Sequence, residues 1–257
     1  MNRVLSKRNS GINGNALRTW AILFLAAGIM GRGVIQTHML GIGHMNNQQI
    51  LEVLGSSNVA MTMTTLSLVL QVLEVCAVPI FGLLLIEGIQ YTSDFNAYLL
   101  RVGGLALLCE IPYNLTFGGK LLFLKTRNPV FALVLCMVMI RIYQLYADKG
   151  AKTVLVDLLV TAAAVVWCEM LKIDFGSAIV LITAVLWGFR VKPLYRNFAG
   201  ASMAMVCSMI SPFFLVSPMS FLILHIYNGE NGTNSRLVNY LAYPVMLLLG
   251  TVCGMIL

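Results

Sequence analysis

Two glutamates sit inside apolar runs of this chain: Glu87 in VPIFGLLLIEGIQY and Glu110 in LLRVGGLALLCEIPYN. A carboxylate in hydrocarbon costs about 2.5–3.5 kcal/mol on insertion scales, so a buried one is kept for a partner or for chemistry. The two runs flank a short polar link, Tyr91 to Asn96. After Pro112 the second run is expected to break into a loop holding Lys120, Lys125, Arg127 and Asn128. The block Val78 to Phe131 therefore reads as the wall of a polar interior. For Glu110 two readings stand: a proton acceptor in that interior, or a partner of Arg101, Lys120 or Arg127 that fixes a helix corner. The three histidines, His38, His44 and His225, are the side chains whose ordinary titration suits a general base. His38 and His44 lie in a polar stretch and read equally as solvated loop residues. His225 lies in an apolar run and reads equally as a hydrogen-bonded core side chain.

The elements that must position these groups follow from composition. Hydrophobic residues make up 59% of the chain and charged residues 11%, against ~25% charged in soluble domains. The expected fold class is all-α, a polytopic membrane bundle of eight or nine helices at about 20 residues per crossing. The expected organisation is a basic cytoplasmic segment, residues 1–16, and one transmembrane domain, residues 17–257. Apolar runs place helices at about Leu17–Ile35, Val59–Gln90, Phe95–Ile111, Pro129–Tyr146, Thr153–Leu171, Phe175–Phe189, Asn197–Ile210, Val216–Tyr227 and Leu237–Ile256. The second, which carries Glu74 and Glu87, is longer than one crossing and must tilt or break near Pro79. Gly28, Gly31 and Gly33 would admit a neighbouring backbone, and Arg32 among them is expected to snorkel to the interface. The stretch 36–58 lacks Lys and Arg, and GIGHMNNQQILEVLG within it could lie on the membrane surface.

With the N-terminus inside and nine crossings, twelve of the 17 Lys and Arg fall at inner ends and five at outer ends, as the positive-inside rule requires. Three of the outer five, Lys120, Lys125 and Arg127, share one loop. There they serve as interface anchors, as an anion-binding set, or as partners of Glu110. The basic pattern punctuates apolar runs instead of forming a nucleic-acid patch. The 6 cysteines all sit in apolar runs without metal or CxxC spacing and read as buried apolar side chains. The first apolar core has no small-residue cleavage site and reads as a retained helix. No nucleotide-binding glycine motif or His/Asp metal cluster is present in the sequence.

In order and spacing, several short elements resemble the TraX family of integral membrane proteins, named for the F-pilin acetylase. They are Pro79-Ile80-Phe81 with Glu87-Gly88, Tyr98-Leu99 with Arg101, Glu110-Ile111-Pro112-Tyr113-Asn114, Asn128 to Phe131, Asp174-Phe175-Gly176, Tyr227-Asn228-Gly229 with Gly232, and Tyr240 to Pro244. The resemblance covers most of the chain. It implies a membrane acyltransferase-like fold in a bacterial cytoplasmic membrane, with a cytoplasmic N-terminus. It implies transfer of acetyl from acetyl-coenzyme A to an amine of an exported acceptor such as a pilin. Such chemistry needs a base and an oxyanion cradle. Glu87 and Glu110 match the family's elements and are catalytic candidates, with His38 and His225 beside them as substitute bases read from the residues themselves. The resemblance implies acetyl-coenzyme A as co-substrate, and Arg101, Lys120, Arg127 and Asn128 are the candidates for holding it, with membrane lipid and the exported protein as partners and no metal. The chain departs from the family pattern in two places. Gly31-Arg32 stands where an Asp-His pair is common, and Val245-Met246 follows Pro244 where a histidine is common. Two readings follow: the chemistry rests on other residues, or the chain is a catalytically silent or transporter-like relative with a polar cavity.

Overall fold

The computed structural model of the chain describes residues 11–42, 45–147, 150–230, 232 and 236–256. His44 and the basic residues Arg3, Lys7 and Arg8 lie outside the described residues. Helix α1 spans Gly14–Gly28, its start capped by the Asn13 side chain, which accepts from the Ala16 N–H at 3.0 Å. It runs on without a break into a π-helical segment, Ile29–Met39. A surface helix, α2 (Asn47–Ser56), follows behind a reciprocal Asn46–Gln49 capping box. It occupies the stretch expected to lie on the membrane, and it exposes Leu51 and Glu52.

Helices α3 (Asn58–Glu74) and α4 (Ala77–Tyr91) divide the long second run. The break falls at Val75-Cys76, so Pro79 lands in the first turn of α4. Its missing N–H is harmless there, because first-turn donors have no intrahelical acceptor. Helix α5 runs Phe95–Gly118 straight through Pro112 and stops at Gly119, which takes a left-handed conformation (φ 61°). The expected break at Pro112 is therefore corrected. Membrane helices tolerate an interior proline more readily than soluble ones, and α5 continues past Pro112 to Gly118.

Helices α6 (Val130–Tyr146), α7 (Ala151–Met170), α8 (Gly176–Gly188) and α9 (Pro193–Val206) follow with short links. Three 3₁₀ turns between Cys207 and Met219 then lead into α10 (Ser220–Ile226), which is shorter than expected, and α11 is Arg236–Ile256. No strand is present among the described residues.

Among the described residues, three helical stretches are long and apolar enough to cross a membrane: Gly14–Met39, Asn58–Tyr91 and Lys152–Met170. Val130–Tyr146, Gly176–Gly188, Pro212–Ile226 and Tyr240–Ile256 are shorter apolar helices. Helix α7 turns Leu155, Leu158, Leu159, Val166 and Met170 outward, an apolar belt suited to lipid.

The main core joins α4, α6 and α8 through Ile80, Leu83, Ile86, Met137, Ile140, Ile182 and Leu186, all fully buried. A smaller one joins the π segment to α5 and α11 through Ile29, Cys109, Tyr113, Phe117 and Leu247. Five cysteines are buried as expected, whereas Cys253 is exposed.

Candidate functional site

The π segment is wedged between α3, α5 and α11, and its glycines make this possible. A Cβ on Gly31 would stand 2.7 Å from the Ser67 carbonyl, and one on Gly33 would stand 2.5 Å from Thr116 Cγ2. Facing them, Gly250 of α11 leaves room for Ile29. The close approach expected of these glycines is met, but Arg32 does not snorkel. Its guanidinium points inward, 2.5 Å from Asp174 Oδ2 and 3.6 Å from Glu74 Oε1. It also lies 4.1 Å above the Phe117 ring and 5.5 Å from the Phe175 ring. The correction has a physical reason: two carboxylates and two aromatic faces inside the bundle replace the water an interfacial arginine would seek. Tyr113 donates to the same Asp174 oxygen at 2.8 Å. Glu74 reaches the group by crossing the bare Cα of Gly28.

Asp174 is held in place from the other side by the Glu110 corner. Asn128 donates to Glu110 Oε2 from its side-chain amide at 2.7 Å and from its backbone N–H at 3.3 Å. Arg127 Nη1 approaches Glu110 Oε1 at 3.4 Å. The same residue pairs by backbone with the link between α7 and α8. Arg127 N–H donates to the Lys172 carbonyl at 2.9 Å, and Asp174 N–H donates to the Arg127 carbonyl at 3.0 Å. That link holds Lys172 (φ 53°) and Phe175 (φ 54°) in the left-handed region. Non-glycine residues persist there only where the surroundings over-determine them, and they concentrate at functional sites.

Beyond Asp174 lies a cavity of about 220 Å³, walled by Glu169, Asp174, Ser177, Ala178, Ser211 and Phe214, among others. Its floor is the first turn of α8. Gly176 lets that turn meet the end of α7, since a Cβ there would stand 2.8 Å from Cys168 Cβ. One consequence is that the Ser177 hydroxyl donates to the Glu169 carboxylate.

The other predicted residues are dispersed. Glu87 is buried and accepts from the Tyr227 hydroxyl at 2.8 Å, with Arg196 and Arg18 supplying favourable charge. His38 packs against Gly254 of α11. His225 is exposed on the last turn of α10 instead of in the core. Neither glutamate nor either histidine lines the cavity. Of the anion-binding candidates, Arg127 and Asn128 close on Glu110, Lys120 is exposed just past the end of α5, and Arg101 is exposed near Tyr98. Helical rise along α5 separates Arg101 from Lys120 by roughly 25 Å or more, so the four do not form one cluster.

The residues that do converge, Arg32, Glu74, Tyr113, Asp174, Glu169 and Ser177, went unassigned in the sequence. Tyr113 and Asp174 belong to quoted elements, and an arginine inside an apolar helix is itself a request for a carboxylate.

Comparison with protein families matches residues 35–253 to the family described as TraX protein. Comparisons with curated proteins and with solved structures find no match.

Proposed function

The chain belongs to the TraX protein family, and from that premise we propose that it is a membrane acyltransferase moving acetyl from acetyl-coenzyme A to an amine of an exported acceptor, such as a pilin. In this reading the four shorter apolar helices, together with α5 and α9, bring the three long spans to eight or nine crossings of a bacterial cytoplasmic membrane. The observation that carries the reading is the cavity at the start of α8, where Glu169 and Asp174 face the first-turn residues Ser177 and Ala178. Acyl transfer needs a base to take a proton from the attacking amine, and a carboxylate on the cavity wall is one. It also needs donors for the oxyanion, and the first N–H groups of a helix have no intrahelical acceptor.

The remaining residues act as positioning groups. Arg32 and Tyr113 hold Asp174 in place, and Glu110 holds the loop that pairs with it.

The test is direct. Purified protein in detergent, given labelled acetyl-coenzyme A and peptides with free N-terminal amines, is expected to form labelled amide. Glu169→Gln is expected to slow this by roughly 10²-fold or more. Wild-type protein that neither binds the coenzyme nor transfers label sinks the reading.

A further inference from the structure

We propose that Ser177 is a nucleophile that carries the acyl group as a covalent ester between donor and acceptor. The inference rests on the acyltransferase reading and adds a chemical route to it. Ser177 is 4% exposed yet lines the cavity, and its hydroxyl donates to the carboxylate of Glu169, which lines the cavity too. A serine hydroxyl is a weak nucleophile unless an adjacent base takes its proton. Here the pair is assembled across two helices, Glu169 from the last turn of α7 and Ser177 from the first turn of α8. The arrangement depends on Gly176, whose missing side chain lets the two helix ends meet.

The cavity of about 220 Å³ is open on one side, so it takes one acyl group and the reacting end of its carrier while the rest of the donor or acceptor stays outside. An ester on Ser177 lets the donor leave before the acceptor enters.

The steps balance. Ser177 Oγ attacks the thioester carbonyl carbon while Glu169 takes the hydroxyl proton, and the backbone N–H groups of Ser177 and Ala178 are the first-turn donors for the developing oxyanion, since that of Gly176 is taken by the Ile173 carbonyl. The C–S bond breaks, and the departing thiolate takes the proton from Glu169. An acceptor amine then attacks the ester carbonyl, and Glu169 takes a proton from the amine nitrogen. The C–O bond to Ser177 breaks, and Oγ recovers that proton.

The test uses full-length protein in detergent, without acceptor. One arm supplies acetyl-coenzyme A, and the other supplies p-nitrophenyl acetate, an activated ester that needs no coenzyme site. Each is quenched in acid and mapped by peptide mass spectrometry. The expected result is acetyl on Ser177 in both arms, with a burst of about one equivalent of nitrophenolate. Ser177→Ala is expected to abolish the adduct. Ser177→Cys is expected to restore one as a thioester, which guards against a variant that merely misfolds. Glu169→Gln is expected to slow acylation by roughly 10²-fold.

Amide formation from acetyl-coenzyme A that persists in Ser177→Ala, with no adduct in the wild type, overturns the serine route and leaves the acyltransferase reading standing. Ser177 acetylated by the ester but never by acetyl-coenzyme A keeps the nucleophile and sinks that donor. Acetyl mapped to Ser211, the other serine on the cavity wall, overturns the assignment.

Discussion

Arg32 shows how one charge is afforded inside an apolar bundle. It meets Asp174 at 2.5 Å and Glu74 at 3.6 Å and lies over the Phe117 ring at 4.1 Å. Removing one partner of a buried ion pair typically costs about 3–5 kcal/mol, because the other charge is left uncompensated. Arg32→Met is therefore expected to lower stability by about that amount, as read by thermal unfolding in detergent. Replacing Asp174 by Leu in the same chain is expected to recover part of the loss. A fully additive double variant would show that the pair is not coupled. Little of this was legible in the sequence. Arg32 looked like an interfacial arginine because its partners come from α3 and from the link before α8, far along the chain. Glu110 was legible in part: Arg127 was named among its partners, whereas the two Asn128 donors were not anticipated. Glu87 was legible as a buried carboxylate, but its Tyr227 partner lies across the fold.

At the scale of elements, apolar runs marked most helices within a few residues, since burial or lipid requires them to be continuous. Proline was a sound guide once and misled once. The break expected near Pro79 is present at Val75-Cys76, with Pro79 in the first turn of α4, whereas Pro112, read as a stop, sits inside α5. The π segment had no signal either, because its geometry is set by the glycines' neighbours. The junction of α7 and α8 is the element most exposed to test. Gly176→Ala would put a methyl 2.8 Å from Cys168 Cβ and force the two helix ends apart. Overpacking of this kind typically costs about 1–3 kcal/mol, so a fall in melting temperature is expected. The Ser177–Glu169 contact should go with it, read as slower labelling of Ser177 by an activated ester. Unchanged labelling would mean that the junction does not position the pair.

For the whole molecule, an outer apolar surface along α7 and a polar seam inside fit the TraX family assignment and membrane residence together. Thiol accessibility tests the packing. Five cysteines are buried and Cys253 is exposed. N-ethylmaleimide on folded protein in detergent is therefore expected to add one adduct, located on Cys253, with the rest appearing only after denaturation. Early modification of Cys168 or Cys136 would contradict the packing around α7 and α8.

The seam also has a history in time. A ribosome adding about 5–20 residues per second leaves on the order of ten seconds between the synthesis of Arg32 and that of Asp174. Glu74 follows Arg32 after roughly a few seconds at the same pace. Of the two carboxylates that Arg32 meets in the folded chain, Glu74 is therefore the one already made during that interval, and Asp174, the closer partner, completes the pair only once the link before α8 exists.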